Sequence, residues 1–317
     1  MGNKRVDEPT GVETVGHEWD GIEELNNPLP RWWLWTLYAT IIWSLVYMIL
    51  YPAWPLLEKG TEGVLGWTSR GDLAHEQAEE DARRAPILQA IAATPITELP
   101  LNAELMAEAV AGGSAAFRVH CVQCHGANAA GSEGFPNLTD DEWIWGGDLP
   151  TIEQTLLHGI REPGNSATRL SMMPAFGRDG ILPADQVAQV ADHVLSLSGS
   201  GPATAAGAAV FATNCVVCHG ATGEGLRQFG APSLNDAVWL YGGDRAAVVA
   251  QITAARHGVM PAWEGRLDPA TIRMLAAYVH SLGGGEAFTA PPATSATAPS
   301  NTAPEVTPES AGTNEQP

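Results

Sequence analysis

The chain has 317 residues, of which 45% are hydrophobic, and its 36 acidic and 16 basic side chains give a formal net charge of −20. This length allows about two domains with additional segments. The charge argues against nucleic acid as a partner, because an acidic surface repels phosphates, and it fits both plain solubility and a basic protein partner.

The most apolar segment runs for 20 residues, from Trp32 to Tyr51, without a charge, glycine or proline. A helix of this length spans about 30 Å, the thickness of the hydrocarbon core of a bilayer. Aromatic residues crowd both ends, as they do at membrane interfaces. We therefore predict that residues 1–55 form an N-terminal segment with one membrane anchor, a helix at about 32–54. A cleavable signal peptide or a buried globular helix fits less well, given the long polar segment before the run.

Two other segments lack the composition of a packed domain. Residues 56–100 are polar with mixed charges, and we interpret them as a spacer in which Ala74 to Ala92 forms an exposed helix. Residues 285–317 are rich in Ala, Pro, Thr and Ser. Such a segment buries too little apolar area to order itself, so we predict a disordered tail.

All four cysteines fall in two copies of one motif, Cys-x-x-Cys-His. This spacing is typical of c-type haem attachment, because two thiols can form thioethers with one porphyrin while the histidine binds its iron. A zinc site or a redox dithiol is the alternative, but zinc pairs usually lie about 15–20 residues apart, whereas these lie 94 apart. The motifs predict two covalently bound haem c groups, attached at Cys121 and Cys124 with axial ligand His125, and at Cys215 and Cys218 with axial ligand His219.

Residues 101–199, around the first motif, are predicted to form a small helical domain. A helix from Glu104 to His120 leads into the motif, and a second starts near Pro150. A third runs from about Pro183 to Gly199, with an apolar stripe at i, i+3, i+4 and i+7.

A sixth iron ligand is expected downstream of each motif, and a methionine thioether is a soft ligand that raises the potential of the iron. Met172 and Met173 precede a proline in the first domain, and Met260 does so in the second. Because the second domain has one such methionine, register favours Met173 for the first domain and leaves Met172 as a packing residue. His158 and His257, which also repeat, are alternative ligands.

Residues 202–284 form a second domain that repeats the first. The segment Trp143 to Asp148 corresponds to Trp239 to Asp244, and Met-Pro-Ala-Phe at 173 corresponds to Met-Pro-Ala-Trp at 260. A period near 90 residues is too long for a solenoid and indicates two globular units in tandem.

Each unit resembles class I cytochrome c, which has an early Cys-x-x-Cys-His, a later methionine and helices at both ends. The resemblance implies a mainly α fold: one N-terminal transmembrane helix followed by two tandem class I cytochrome c domains. In that family the first helix packs on an aromatic of the last helix, a place that Tyr278 fills in the second unit and His193 in the first. A proline carbonyl accepts the second ring N–H of the haem histidine, and the matching residues are Pro136 and Pro232.

The stretch from His17 to Trp33, the single anchor and the paired Trp-x-Trp/Tyr-Gly-Gly segments resemble the dihaem subunit, subunit III, of cbb3-type cytochrome c oxidases. This resemblance implies a non-catalytic subunit of a proton-translocating O2 reductase. It would carry electrons from a soluble, basic cytochrome c to the monohaem cytochrome c subunit and the haem–copper catalytic subunit in aerobic or microaerobic respiration. Because haem c is attached outside the bacterial cytoplasm, we expect a single pass through the inner membrane, with contact to membrane lipid, a cytoplasmic N-terminus and periplasmic haem domains.

Three other functions remain open. A free membrane-tethered dihaem shuttle or the cytochrome subunit of a dehydrogenase would use the same haem sites with other partners. A dihaem peroxidase or a gas sensor would need one iron with an exchangeable sixth position, and the two methionines argue against that only if both bind.

Overall fold

The computed structural model describes residues 4–288, so most of the predicted tail, 289–317, lies outside the described residues. The described residues belong to two compact units, one ending at Arg84 and one beginning at Ala85.

The first unit begins with an antiparallel hairpin of β1 (Thr14–Trp19) and β2 (Ile22–Leu25), in which Trp19 pairs with Ile22. The two-residue turn consists of Asp20 and Gly21, whose φ angles are +52° and +84°. Positive φ at both central residues is the signature of a type I′ turn, for which Asp-Gly is a preferred sequence. This hairpin was not predicted from the sequence.

Helix α1 (Arg31–Leu50) follows the hairpin, and none of its residues is buried. Among the described residues it is the one helix long and apolar enough to cross a membrane. It ends two residues before Pro52, which cannot continue a helix because it lacks the backbone N–H. The predicted apolar helix is present, and it ends at Leu50 rather than near residue 54.

Helix α2 (Ser69–Ala93) is longer than the predicted exposed helix, and one side of its C-terminal end is buried. Ile91 is buried, as are Ile96 and Leu99 beyond the helix, and all three belong to the core of the second unit. The Arg273 side chain donates hydrogen bonds to the carbonyl oxygens of Ile91 (3.1 Å) and Thr94 (2.7 Å), which satisfies the open C-terminal end of the helix. The interpretation of residues 56–100 as a polar spacer is therefore wrong for its last dozen residues.

The rest of the second unit is helical, and the helices predicted from periodicity are confirmed. Five of them start at a side chain that accepts a hydrogen bond from the first turn, namely Asn102, Asp148, Thr204, Asp244 and Asp268. The helices are α3 (Ala103–His120), α4 (Val122–His125), α5 (Leu149–His158), α6 (Ala184–Leu197), α7 (Ala205–Asn214), α8 (Val216–His219), α9 (Arg245–Thr253) and α10 (Pro269–His280). Short 3-10 helices span Leu99–Leu101 and Arg227–Phe229.

The first helix of the first repeat, α3, packs against the last helix of the second repeat, α10. Gly113 is buried at the crossing, where a Cβ would collide with the carbonyl oxygen of Met274 and with the Cβ of Tyr278. Four residues on, the Phe117 ring lies 5.4 Å from the Tyr278 ring. A glycine at this position lets the two backbones approach closely.

The reciprocal contact is also present, since α7 of the second repeat packs against α6 of the first. We call this crossed pairing of first and last helices the helix exchange. A Cβ at Gly207 would meet the carbonyl oxygen of Gln189 and the Cβ of His193, and the His193 ring lies 5.1 Å from the Phe211 ring. The expectation that Tyr278 and His193 each pack on the first helix of their own repeat is therefore wrong. Both repeats carry the same helix-packing pattern, so either first helix can accept either last helix.

The exchange produces two separate cores, each built from both repeats. The first contains the end of α2 with α3, α5 and α10, and the second contains α6, α7 and α9. Their largest fully buried side chains, each less than 2% exposed, are Ile91, Leu99, Phe117 and Leu275 in the first core and Val190 and Phe211 in the second.

A double-mutant cycle tests this exchange. We expect Phe117→Leu and Tyr278→Leu to be coupled by about 0.5–1.5 kcal/mol, because an aromatic pair in contact is worth that much beyond its buried area. The measurement is guanidinium unfolding of the haem-loaded, detergent-solubilised chain. The control pair, Phe211→Leu with Tyr278→Leu, is expected to be additive; coupling there and none between positions 117 and 278 would contradict the exchange.

Candidate haem sites

Each Cys-x-x-Cys-His motif lies at the end of a long helix. The first cysteine caps α3 or α7, and the second cysteine and the histidine lie on the one-turn helix that follows. Burial raises the pKa of the Cys121 and Cys215 thiols to about 11, so that both are protonated at neutral pH in a chain without haem. Because the first cysteine caps the one-turn helix that carries the second, the two thiols of a motif lie within one helical turn of each other, as thioether bonds to one porphyrin require.

Both motif histidines are oriented by a proline carbonyl. The Nδ1 of His125 lies 3.1 Å from the carbonyl oxygen of Pro136, and that of His219 lies 3.0 Å from the carbonyl oxygen of Pro232. Burial lowers the pKa of both imidazoles, and the proline carbonyls partly oppose this effect. A neutral ring whose Nδ1–H is donated to a carbonyl leaves the Nε2 lone pair free for a metal, which is the tautomer that iron ligation needs.

The two Trp-x-Trp/Tyr-Gly-Gly segments pack against the two cores that also contact the motifs. Trp143 packs against the first core and Trp239 against the second. A Cβ on Gly147 would lie 2.7 Å from the Trp143 ring. The repeated glycine is therefore required by the indole that folds over it, a role that the sequence pattern alone does not reveal.

The two methionines lie in the opposite cores from those the sequence predicted. Met260 packs against the first core together with Cys121, whereas Met173 packs against the second core together with Cys215. The backbone of Met260 exchanges two hydrogen bonds of 3.0 Å with Ile160. These bonds fix the Met260 loop, which joins α9 to α10, on the first core; the Met173 loop is the corresponding connection between α5 and α6. Met173 was predicted to belong to the first motif, but in the structure it packs against the core that contacts the second motif. Met172 is 65% exposed, so the expectation that it packs in a core is also wrong.

Of the two alternative ligands, His257 has a hydrogen-bond partner, whereas His158 Nδ1 is buried without one among the described residues. A carboxylate oxygen of Glu264 lies 3.6 Å from His158 Nδ1. His257 Nε2 accepts a hydrogen bond of 2.9 Å from the backbone N–H of Met173. His257 therefore supports the loop of Met173, across the boundary between the repeats.

Sequence reasoning missed one residue between the methionine loops. Arg161 has a φ of +53°, a left-handed backbone that costs a residue other than glycine about 1 kcal/mol or more. Its side chain is half-buried and donates hydrogen bonds to the carbonyl oxygens of Gly258 (2.6 Å) and Ser171 (3.0 Å). No periodicity or motif marks this arginine in the sequence.

The donor set in each core fits a haem c group. Each core is contacted by the first cysteine of one motif and by one methionine from the other repeat. The second cysteine and the histidine follow within one turn, and the histidine bonds through Nδ1, which leaves Nε2 for a metal. Thiol, imidazole and thioether are the donors that c-type haem sites use.

Three family models match separate parts of the chain. Residues 11–58 match the N-terminal domain of cytochrome oxidase-cbb3, FixP. Residues 110–198 match cytochrome c, and residues 202–279 match cytochrome c oxidase, cbb3-type, subunit III.

Curated relatives match almost from end to end. The cbb3-type cytochrome c oxidase subunit CcoP of Cereibacter sphaeroides is 50% identical over 88% of this chain and 97% of its own length. The subunit FixP of Sinorhizobium medicae is 50% identical over 90% of this chain and 99% of its own, and the subunit CcoP of Azospirillum brasilense is 49% identical over 90% of this chain and all of its own. The predicted family, fold class and pair of haem c groups are confirmed, and the chain belongs to the CcoP/FixP family of cytochrome c subunits of cbb3-type cytochrome c oxidases.

Proposed function

We propose that this subunit passes electrons from a soluble cytochrome c donor to the other subunits of its oxidase and has no catalytic site of its own. The observation that carries this proposal is the presence of two donor sets in one compact unit, in each of which a methionine and the first cysteine of a haem motif pack against the same core. The haem irons, when bound, supply the chemistry by alternating between Fe(III) and Fe(II).

The chain's own residues keep the iron geometry constant during that change. Cys121, Cys124, Cys215 and Cys218 are the proposed covalent attachment residues, and His125 and His219 the proposed axial ligands on one side. Met173 and Met260 are proposed to occupy the other side, so that neither iron offers an exchangeable position. The cysteines and histidines lie at or on helices, and hydrogen bonds to Ile160 and His257 hold the backbones of Met260 and Met173. Ligands fixed in this way would keep reorganisation small, and the thioether ligand would raise the potential.

We further propose that the ligand pairs cross between the repeats, with His125 and Met260 on one iron and His219 and Met173 on the other. The support for this pairing is that each methionine packs in the core of the other repeat's motif. The hydrogen bonds between Met260 and Ile160 and between Met173 and His257 hold both methionines across the boundary between repeats.

The proposed donor is a basic cytochrome, and a cleft of about 580 Å³ is the proposed docking region. Asp141, Glu142, Glu224 and Asp236 line the cleft together with Arg227. Clustered carboxylates of one sign raise the association rate of a positively charged partner.

The proposed partners beyond the donor are the haem–copper catalytic subunit, the monohaem cytochrome c subunit and membrane lipid. The proposed location is the bacterial inner membrane, with a cytoplasmic N-terminus and periplasmic haem sites. Co-purification in mild detergent tests the assembly, because a free shuttle or a dehydrogenase subunit would be isolated without a haem–copper subunit. Carbon monoxide tests the electron-transfer role, because stoichiometric binding to the reduced wild-type chain would indicate a peroxidase or gas sensor instead.

A chain with one haem separates the two possible ligand pairings. In the Cys215→Ala/Cys218→Ala background, only the first motif can carry haem. There we expect Met260→Ala to abolish the near-infrared sulfur-to-iron band and to open the iron to carbon monoxide, because the thioether is lost. Met173→Ala in the same background is expected to leave the band in place. The reverse result would restore the pairing within each repeat.

Glu142 provides a pH test of the acidic cleft. Burial and the neighbouring carboxylates of Asp236, Asp141 and Asp140 raise its pKa. A raised pKa means that this group favours folding at low pH and that this contribution is lost as the pH rises through the folded-state pKa. We therefore expect Glu142→Gln to raise Tm at about pH 7, to leave it unchanged at about pH 4, and to raise KM for a basic cytochrome c.

The matched control is Glu108→Gln, an exposed position on α3. It removes the same charge outside the cleft and is expected to change neither Tm nor KM. Equal effects of the two substitutions on KM would show that net charge acts, and that the cleft is not the docking region.

A further inference from the structure

The two repeats differ in the segment that leads to the methionine. From His257 to Met260 the chain advances three residues, but from His158 to Met173 it advances fifteen. The first repeat thus carries an extra segment of twelve residues, which begins near Arg161. The backbone N–H of Arg161 donates to the carbonyl of Arg169 at 2.8 Å, so the two ends of the segment are tied together.

The guanidinium of Arg161 contacts equivalent positions in both methionine loops. Ser171 lies two residues before Met173, and Gly258 lies two residues before Met260. Arg161 donates to the carbonyl oxygen of each, at 3.0 Å and 2.6 Å. One side chain from the first repeat therefore fixes the approach of both methionines.

The charge of Arg161 has no carboxylate partner among the residues that the structure describes, since its hydrogen bonds go to backbone carbonyls. It is also partly shielded from solvent. A cation in such a place acts on nearby groups more strongly than one in water, because less solvent screens it. A positive charge near an iron stabilises Fe(II) over Fe(III) and so raises the midpoint potential.

We propose that Arg161 is a shared positioning residue of the two haem sites, which holds both methionine loops and raises both midpoint potentials through its charge. This inference rests on the proposed ligation by Met173 and Met260. The left-handed backbone at position 161 is consistent with this role. A glycine would adopt that backbone without strain, so the arginine side chain is present despite a conformational cost.

The test is a redox titration with optical spectra of the detergent-solubilised, two-haem chain. Arg161→Gln and Arg161→Gly both remove the charge, and the glycine also suits the left-handed backbone, so it keeps the test usable if the glutamine variant loses haem. We expect both potentials to fall in each variant. Arg161→Lys keeps the charge, and we expect it to restore most of both potentials.

The matched control is Arg256→Gln. Arg256 also joins the repeats, through Glu133 (3.1 Å), and its guanidinium donates a second bond to the carbonyl of Tyr241 (3.0 Å) in its own repeat, but it bonds to neither methionine loop. It is expected to leave both potentials unchanged. A fall in only one potential, or in neither, after loss of the Arg161 charge would overturn the shared role, and an equal fall in Arg161→Lys would overturn the role of the charge.

The two failures are distinguishable. If the methionines are not ligands, the wild-type chain lacks the near-infrared sulfur-to-iron band, whatever residue 161 does. If the band is present in the wild type and in the Arg161 variants but the potentials do not move, the ligation stands and the inference about Arg161 fails.

Discussion

The close approach of α3 to α10 and of α7 to α6 is the contact on which the rest of the second unit depends. Gly113 and Gly207 allow it, because any larger residue at either position would meet backbone atoms of the facing helix. Each first helix packs against the last helix of the other repeat, so the loop that precedes that last helix lies on the same core as the first helix. The position of each methionine is therefore a consequence of the helix exchange.

This arrangement brings the two methionine loops together at the boundary between the repeats. The backbone N–H of Met173 reaches His257, three residues before Met260, and Arg161 bonds to both loops. Under the proposed ligation, these bonds would hold the ligand residues of both haem sites in fixed relative positions within one compact unit.

Much of this could be predicted from the sequence because it is local. The helices follow from periodicity and capping residues, the haem motifs from spacing, and Pro136 and Pro232 from family resemblance. The partner of each helix could not be predicted, because Phe117 and Phe211 occupy equivalent places and each last helix offers a ring, Tyr278 or His193. A pairing within each repeat and a pairing between repeats satisfy the same pattern, and only the three-dimensional packing distinguishes them.

Two features, the N-terminal hairpin and the role of Arg161, were not predicted from the sequence for a different reason. The hairpin at Asp20-Gly21 has a recognised turn sequence, but the strands on either side are short and rich in glutamate, so their composition did not indicate strands. Arg161 could not be found by any local rule, since its significance lies in carbonyl groups 10 and 97 residues away. Contacts made to backbone atoms leave no trace in the identity of the partner residue.

The exposed ion pairs between the repeats do not explain why they form one unit. Arg256 pairs with Glu133 and Arg245 with Asp192, and such exposed pairs contribute about 0–1 kcal/mol each. The pair Arg273–Glu153 is partly buried, but it joins two of the exchanged helices, α10 and α5. Glu286, in a segment that was predicted to be disordered, exchanges hydrogen bonds with Gly147. Burial of one large apolar side chain contributes about 1.5–3 kcal/mol, and Phe117, Phe211 and Leu275 are each at most 1% exposed. The exchanged helices therefore supply most of the free energy that joins the repeats. If the repeats were separated, the first helix of each would lose the last helix that it packs against, because that helix belongs to the other repeat.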